Sequence, residues 1–167
     1  VNSEYIGISK FGVFNFRTTS QTHAGKWWYQ TIEIPDFQSK LEEMEEVSPI
    51  TARDLQNLIQ TEDIKVFCDD QSFLYWGFKY KAWNDDYGIE PETRKPELNN
   101  VDLKGGSCKH LHSVFELINS GTLYEQMAKD SRNYLAYAQG KAYKNFSKTR
   151  LLGDKYRQKN RISWETY

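Results

Sequence analysis

The chain has 167 residues, 38% of them apolar and 15% aromatic, and a formal net charge of −1. That length suits one compact domain with its own core and is short for two. Two cysteines exclude a disulfide-stapled scaffold, and no apolar run approaches the length of a membrane span.

Residues 1–10 lack the apolar stretch of a signal peptide, which predicts a cytosolic setting and no membrane partner. The chain opens on Val1 rather than Met, as a fragment or a processed product would. Residues 11–34 read as a β-hairpin. Residues 13–19 alternate and are rich in β-formers, 21–25 form the loop, and the return strand carries Trp28, Gln30, Ile32 and Ile34 on one face before Pro35 ends it.

A short acidic helix is predicted over 37–46, with Leu41 and Met44 turned inward. Thr51 and Asp54 have the spacing of a capping box and open a second helix, 51–60, whose apolar face is Leu55, Leu58 and Ile59. Residues 64–68 read as a strand ending at Cys68. Phe73, Trp76, Tyr80, Trp83 and Tyr87 recur at helical spacing, so 72–84 is predicted as a helix; Phe73, Tyr75 and Gly77 also alternate, which leaves a strand as the alternative. This stripe reads as core rather than as a base-stacking surface.

A long loop, 85–106, follows with Pro91, Pro96 and Gly105-Gly106. Loops of that length inside a domain are usually functional or held by something. Ser107 is placed to cap a helix over 108–119 with Leu111, Val114, Phe115 and Ile118 as its buried stripe, and Gly121 ends it. Thr122 with Glu125 forms a second capping-box pattern, opening a helix toward Gln139.

Charge is unevenly spread. The acids Glu33, Asp36, Glu42, Glu43, Glu45 and Glu46 surround only Lys40, whereas Lys141, Lys144, Lys148, Arg150, Lys155, Arg157, Lys159 and Arg161 surround only Asp154. The reading is an acidic face and a basic arm, 141–167, in which Tyr143, Phe146, Tyr156 and Trp164 are interleaved. Such an arm suits contact with a polyanion such as DNA, or docking on an acidic neighbour, including the 33–46 segment of another copy of the chain. Two solvated surfaces are the plain alternative.

The chemically pointed feature is Cys68-Asp69-Asp70 at a strand end and Cys108-Lys109-His110 at a helix start. Thiol, carboxylate, thiol and imidazole together are a zinc-type donor set, and a helix N-terminus favours the thiolate of Cys108. A metal-free, packed site is the alternative, since cysteine is among the residues most often buried.

The pattern resembles a degenerate SWIM-type zinc finger, with Cys68, Asp70, Cys108 and His110 at the ligand positions and Asp70 where that family has its second cysteine. Residues 65–78 and 106–111 are similar to proteins of tailed-bacteriophage structural or assembly genes. This resemblance spans about residues 60–120. It implies zinc as cofactor, a virion or host-cytoplasm location, and other virion proteins or further copies of the chain as partners.

Enzyme readings are weaker. Asp63-Ile64-Lys65 matches half of a metal-dependent nuclease site and would need Glu33 or Asp54 to complete it. Cys108 and His110 as a nucleophile pair is disfavoured by their i, i+2 spacing on a helix. The expected whole is an α+β domain, 1–140. A small antiparallel sheet packs against helices at 51–60, 72–84 and 108–119, and a basic arm extends from it.

Overall fold

The computed structural model describes residues 2–75, 77–92, 94 and 107–141, without the side chains of 71 and 72. The architecture is α+β. Strands β1 (Ser3–Ile8), β2 (Phe14–Thr19), β3 (Trp27–Glu33) and β4 (Lys65–Cys68) form one antiparallel sheet in the order β1-β2-β3-β4. The helices among the described residues are α1 (Phe37–Glu45), α2 (Ala52–Thr61), α3 (Gln71–Tyr75), α4 (Phe78–Asn84), α5 (Lys109–Asn119) and α6 (Tyr124–Ala138).

The register sets which side chains share a face. Phe14 lies opposite Ile32, Phe16 opposite Gln30, and Gln30 opposite Cys68. Alternation therefore puts Phe14, Phe16, Gln30, Ile32, Val66 and Cys68 on one face, and all are buried. Helix α5 packs across β1, β2 and β3, and α6 packs on β1 and against α1 and α2. Phe37 of α1 meets Phe14 edge-on at 5.5 Å and stacks on Tyr134 of α6 at 5.8 Å.

The hairpin, the capping box at Thr51 and Asp54, and the strand into Cys68 stand where the sequence places them. So does the buried stripe of α5, with Leu111, Val114 and Ile118 fully enclosed and Phe115 packed at its margin. Gly121, at φ 81°, follows the helix in the left-handed conformation that few other residues adopt at low cost.

Four expectations are corrected. Strand β1 has no counterpart in the sequence reading. The 72–84 helix is two helices, broken at Gly77, whose φ of 86° cannot continue a helix. Ser107 does not cap α5: Cys108 occupies the cap position, without a side-chain bond. The box at Thr122 and Glu125 does not form; α6 begins after Leu123, and Thr122 Oγ1 pairs instead with Ser120 Oγ at 3.0 Å.

The front of the 85–106 loop is pinned. Val66 N–H donates to Tyr87 O at 2.7 Å and Ile89 N–H to Val66 O at 3.3 Å, so residues 87–89 run along β4 beyond the sheet. Residues 95–106 lie outside the described residues, as do all of the predicted basic arm residues beyond Lys141. No helix among the described residues is long and apolar enough to cross a membrane.

Candidate metal centre

Cys68 is the last residue of β4, and its side chain points to the face that α5 covers. It is fully buried, and Gln30 Nε2, which donates to Thr18 Oγ1 at 3.0 Å, also donates to Cys68 Sγ at 3.5 Å. Cys108 precedes α5 in an extended conformation, φ −76° and ψ 162°. The helical i, i+2 spacing rule therefore does not govern Cys108 and His110, and the expectation that they face apart is corrected. One ligand atom each from Cys68, Cys108 and His110 lie within 4.8 Å of one another, all three residues buried. This buried group can hold a metal ion.

The Asp70 carboxylate joins the cluster through His110, its Oδ2 lying 3.1 Å from His110 Nδ1, while the Asp70 backbone N–H is bonded to the Cys68 thiol. The distance is that of a charge pair, but the ring N–H is not directed at the oxygen, and neither nitrogen of the buried ring makes a hydrogen bond of good geometry. Buried polar atoms are normally bonded, so an imidazole withdrawn to 2% exposure with no well-aligned hydrogen bond at either nitrogen can take a further partner beside the Asp70 charge. Trp28 covers it, with ring centroids 6.2 Å apart.

The electrostatics describe three groups sharing protons. Burial, and then the neighbouring Cys108, push the Cys68 thiol well above its ordinary pKa. The hydrogen bond from Cys68 draws Cys108 down to about 5, helped by His110 and by the Leu111 N–H at the start of α5, and against burial. Burial works to lower the His110 pKa, but Asp70 and Cys108 outweigh it and raise it to about 9. These directions favour a thiolate at Cys108, a proton on Cys68 and an imidazolium at His110 in the metal-free cluster. A divalent cation would replace those protons, which is how thiolate and imidazole sites couple binding to proton release.

The cluster is not sealed. Cys108, His110 and Asp70 form one wall of a cavity of about 470 Å³ whose other walls include the 20–26 loop of the hairpin, Trp28, Phe78 and Ser107. His23 stands exposed in the hairpin loop, and the fold sets that loop in the wall of the same cavity as His110. Nothing local announces this, because it depends on how α5 crosses the hairpin.

The remaining sequence candidates do not join the cluster. Nor does His112, which is exposed on α5. No group of three His, Cys, Asp or Glu side chains containing Asp63, Glu33 or Asp54 comes together among the described residues. Lys65 pairs with Asp86 at 3.4 Å, and Asp54 is engaged in the capping box. Lys141 is exposed after α6, while Lys144, Lys148, Arg150, Lys155, Arg157, Lys159 and Arg161 fall outside the described residues. The chain matches no protein-family model, no curated protein and no solved structure.

Proposed function

We propose that this chain is a zinc-binding, non-enzymatic structural or assembly protein of a tailed-bacteriophage virion. The observation that carries the zinc reading is the burial of two thiols and an unsatisfied imidazole within reach of one ion. Thiolate and imidazole donors suit zinc better than the hard cations, which take oxygen. The ion would tie the end of β4 to the start of α5 and so anchor both ends of the long segment between them. The virion reading rests on the likeness of residues 65–78 and 106–111 to proteins of phage structural genes. In it, the bases from Lys141 to Arg161 grip neighbouring virion proteins or further copies of the chain.

The test is the metal content of the full chain purified without added zinc. One zinc per chain, whose removal by a chelator lowers the melting temperature, supports the centre. A well-folded protein with no metal, unmoved by added zinc, rejects it. Recovery of the chain in many copies from purified particles is the corresponding test of the virion reading.

A nucleic-acid-binding zinc module is the second reading, favoured by the run of bases interleaved with Tyr143, Phe146, Tyr156 and Trp164. It requires DNA affinity that falls steeply with salt, by about 0.9 in log–log slope per phosphate neutralised.

A further inference from the structure

Among the described residues, three ligand side chains come together, one short of a tetrahedral set. Structural zinc sites are closed by four protein side chains, whereas sites with three keep a position for a group from outside. Here the nearby carboxylates are otherwise engaged. Asp70 Oδ2 sits against His110 Nδ1 at 3.1 Å, which is where the outer partner of a metal-ligating histidine stands. Asp69 Oδ1 accepts from the Tyr29 N–H at 2.7 Å.

The cavity supplies the approach. Cys108 and His110 are in its wall and Cys68 lies behind them, so an ion held by the three sits at its floor. Its volume of about 470 Å³ falls in the range of roughly 300–1,000 Å³ usual for small-ligand sites. Lys26 and Lys109 bring ammonium groups to the wall, and Asp70, already drawn to His110, is the one carboxylate in it among the described residues. Lys26 Nζ is 4.1 Å above the Trp28 ring, and Lys109 Nζ is held by Gln21 Oε1 at 2.8 Å. Ser107 Oγ is buried and unbonded. Trp28 and Phe78 supply apolar surface.

We propose that the centre is open: a metal held by Cys68, Cys108 and His110 presents its fourth position to this cavity and there binds the carboxylate of a small organic acid. The inference rests on the metal reading above and adds its ligand. Two thiolates and a neutral imidazole cancel the charge of a divalent ion, so the pull on the anion comes from Lys26 and Lys109. The aromatic walls take the body of the acid.

The test loads the full chain with Co2+, whose visible d–d bands report the fourth ligand where zinc, a d10 ion, is silent. Acetate and benzoate are titrated in, with chloride as the ionic-strength control. Both acids shift the bands saturably, and benzoate binds about tenfold tighter through its ring. The variant K26Q/K109Q keeps the cobalt stoichiometry and the starting spectrum but weakens acetate about fivefold. A thiolate–cobalt spectrum that neither acid moves overturns the open centre and leaves the metal reading standing. So does a shift that appears only after His23→Ala or Asp70→Asn, because that side chain then fills the fourth position. Absence of any cobalt–thiolate spectrum overturns the metal reading and the anion site together.

Discussion

Asp70 Oδ2 lies 3.1 Å from Nδ1 of His110, and the two residues are 8% and 2% exposed. The pair joins the residue just past β4 to the first turn of α5, and it holds the imidazole in one orientation beside the two thiols. Outer partners of ligating histidines typically contribute about 10–100-fold in metal affinity. Asp70→Asn keeps the shape and removes the charge, so the variant should still bind one zinc per chain with affinity lower by about that factor. Competition against a chromophoric chelator measures it. Unchanged affinity would show that the carboxylate does not support the ring.

Thr51 Oγ1 accepts from the Asp54 N–H at 3.3 Å, and Asp54 Oδ2 accepts from the Thr51 N–H at 2.8 Å. The reciprocal bonds satisfy donors that the first turn of α2 cannot satisfy itself. Thr51→Ala should cost about 1 kcal/mol, while Thr51→Ser should retain most of the stability. Denaturant unfolding at constant slope reads both. Equal midpoints for the two variants would remove the hydroxyl from the account.

That box was legible because its two partners are three residues apart. The hairpin, the strand into Cys68 and the stripe of α5 were legible for the same reason, since their periodicity is local. Strand β1 was not: Gly7 interrupts its pattern at a shift in the register with β2, and the side-chain bonds that tie it to the helices come from far along the chain. Tyr5 Oη donates to Asp130 at 2.6 Å, and Ser3 Oγ meets Ser113 Oγ at 2.5 Å. The break at Gly77 was hidden by aromatic residues whose spacing fits one continuous helix. In the site, Cys68, Cys108 and His110 could be read as candidate ligands from residue type alone. The approach of the 20–26 loop to His110, and the pairing of the Asp70 carboxylate with His110, required the tertiary fold.

Gly88 sits where the loop after α4 touches β4. A Cβ added there would lie 2.8 Å from Trp83 N and 2.9 Å from the Ala82 carbonyl carbon, both backbone atoms that cannot swing aside. Gly88→Ala must therefore displace either the end of α4 or residues 87–89. Overpacking of this kind costs about 1–3 kcal/mol. The local signature is sharper than the global one: the Val66 N–H, bonded to Tyr87 O at 2.7 Å, should lose hydrogen-exchange protection before the rest of the sheet. Uniform loss across the sheet would mean that residues 87–89 are not a separate brace on β4.

Asp130 is the buried acid of α6, 4% exposed, with its carboxylate accepting from Tyr5 Oη at 2.6 Å and from Gln126 Nε2 at 2.9 Å. Burial raises its pKa above the ordinary value, outweighing the lowering by Tyr5 and Gln126. A carboxyl whose folded pKa is raised binds its proton more tightly folded than unfolded. Its contribution to stability is therefore fully present below the unfolded value of about 3.9 and is lost as pH rises through the folded one. Asp130→Asn carries no charge to bury at any pH. The stability of the variant relative to wild type should accordingly climb as pH rises through that window and level off above it, as read by denaturant unfolding at a series of pH values. The opposite trend, with wild type gaining on the variant as pH rises, would mean that the Tyr5 and Gln126 bonds hold the carboxylate ionised more strongly than burial opposes it. The link between β1 and α6 would then be a charged one.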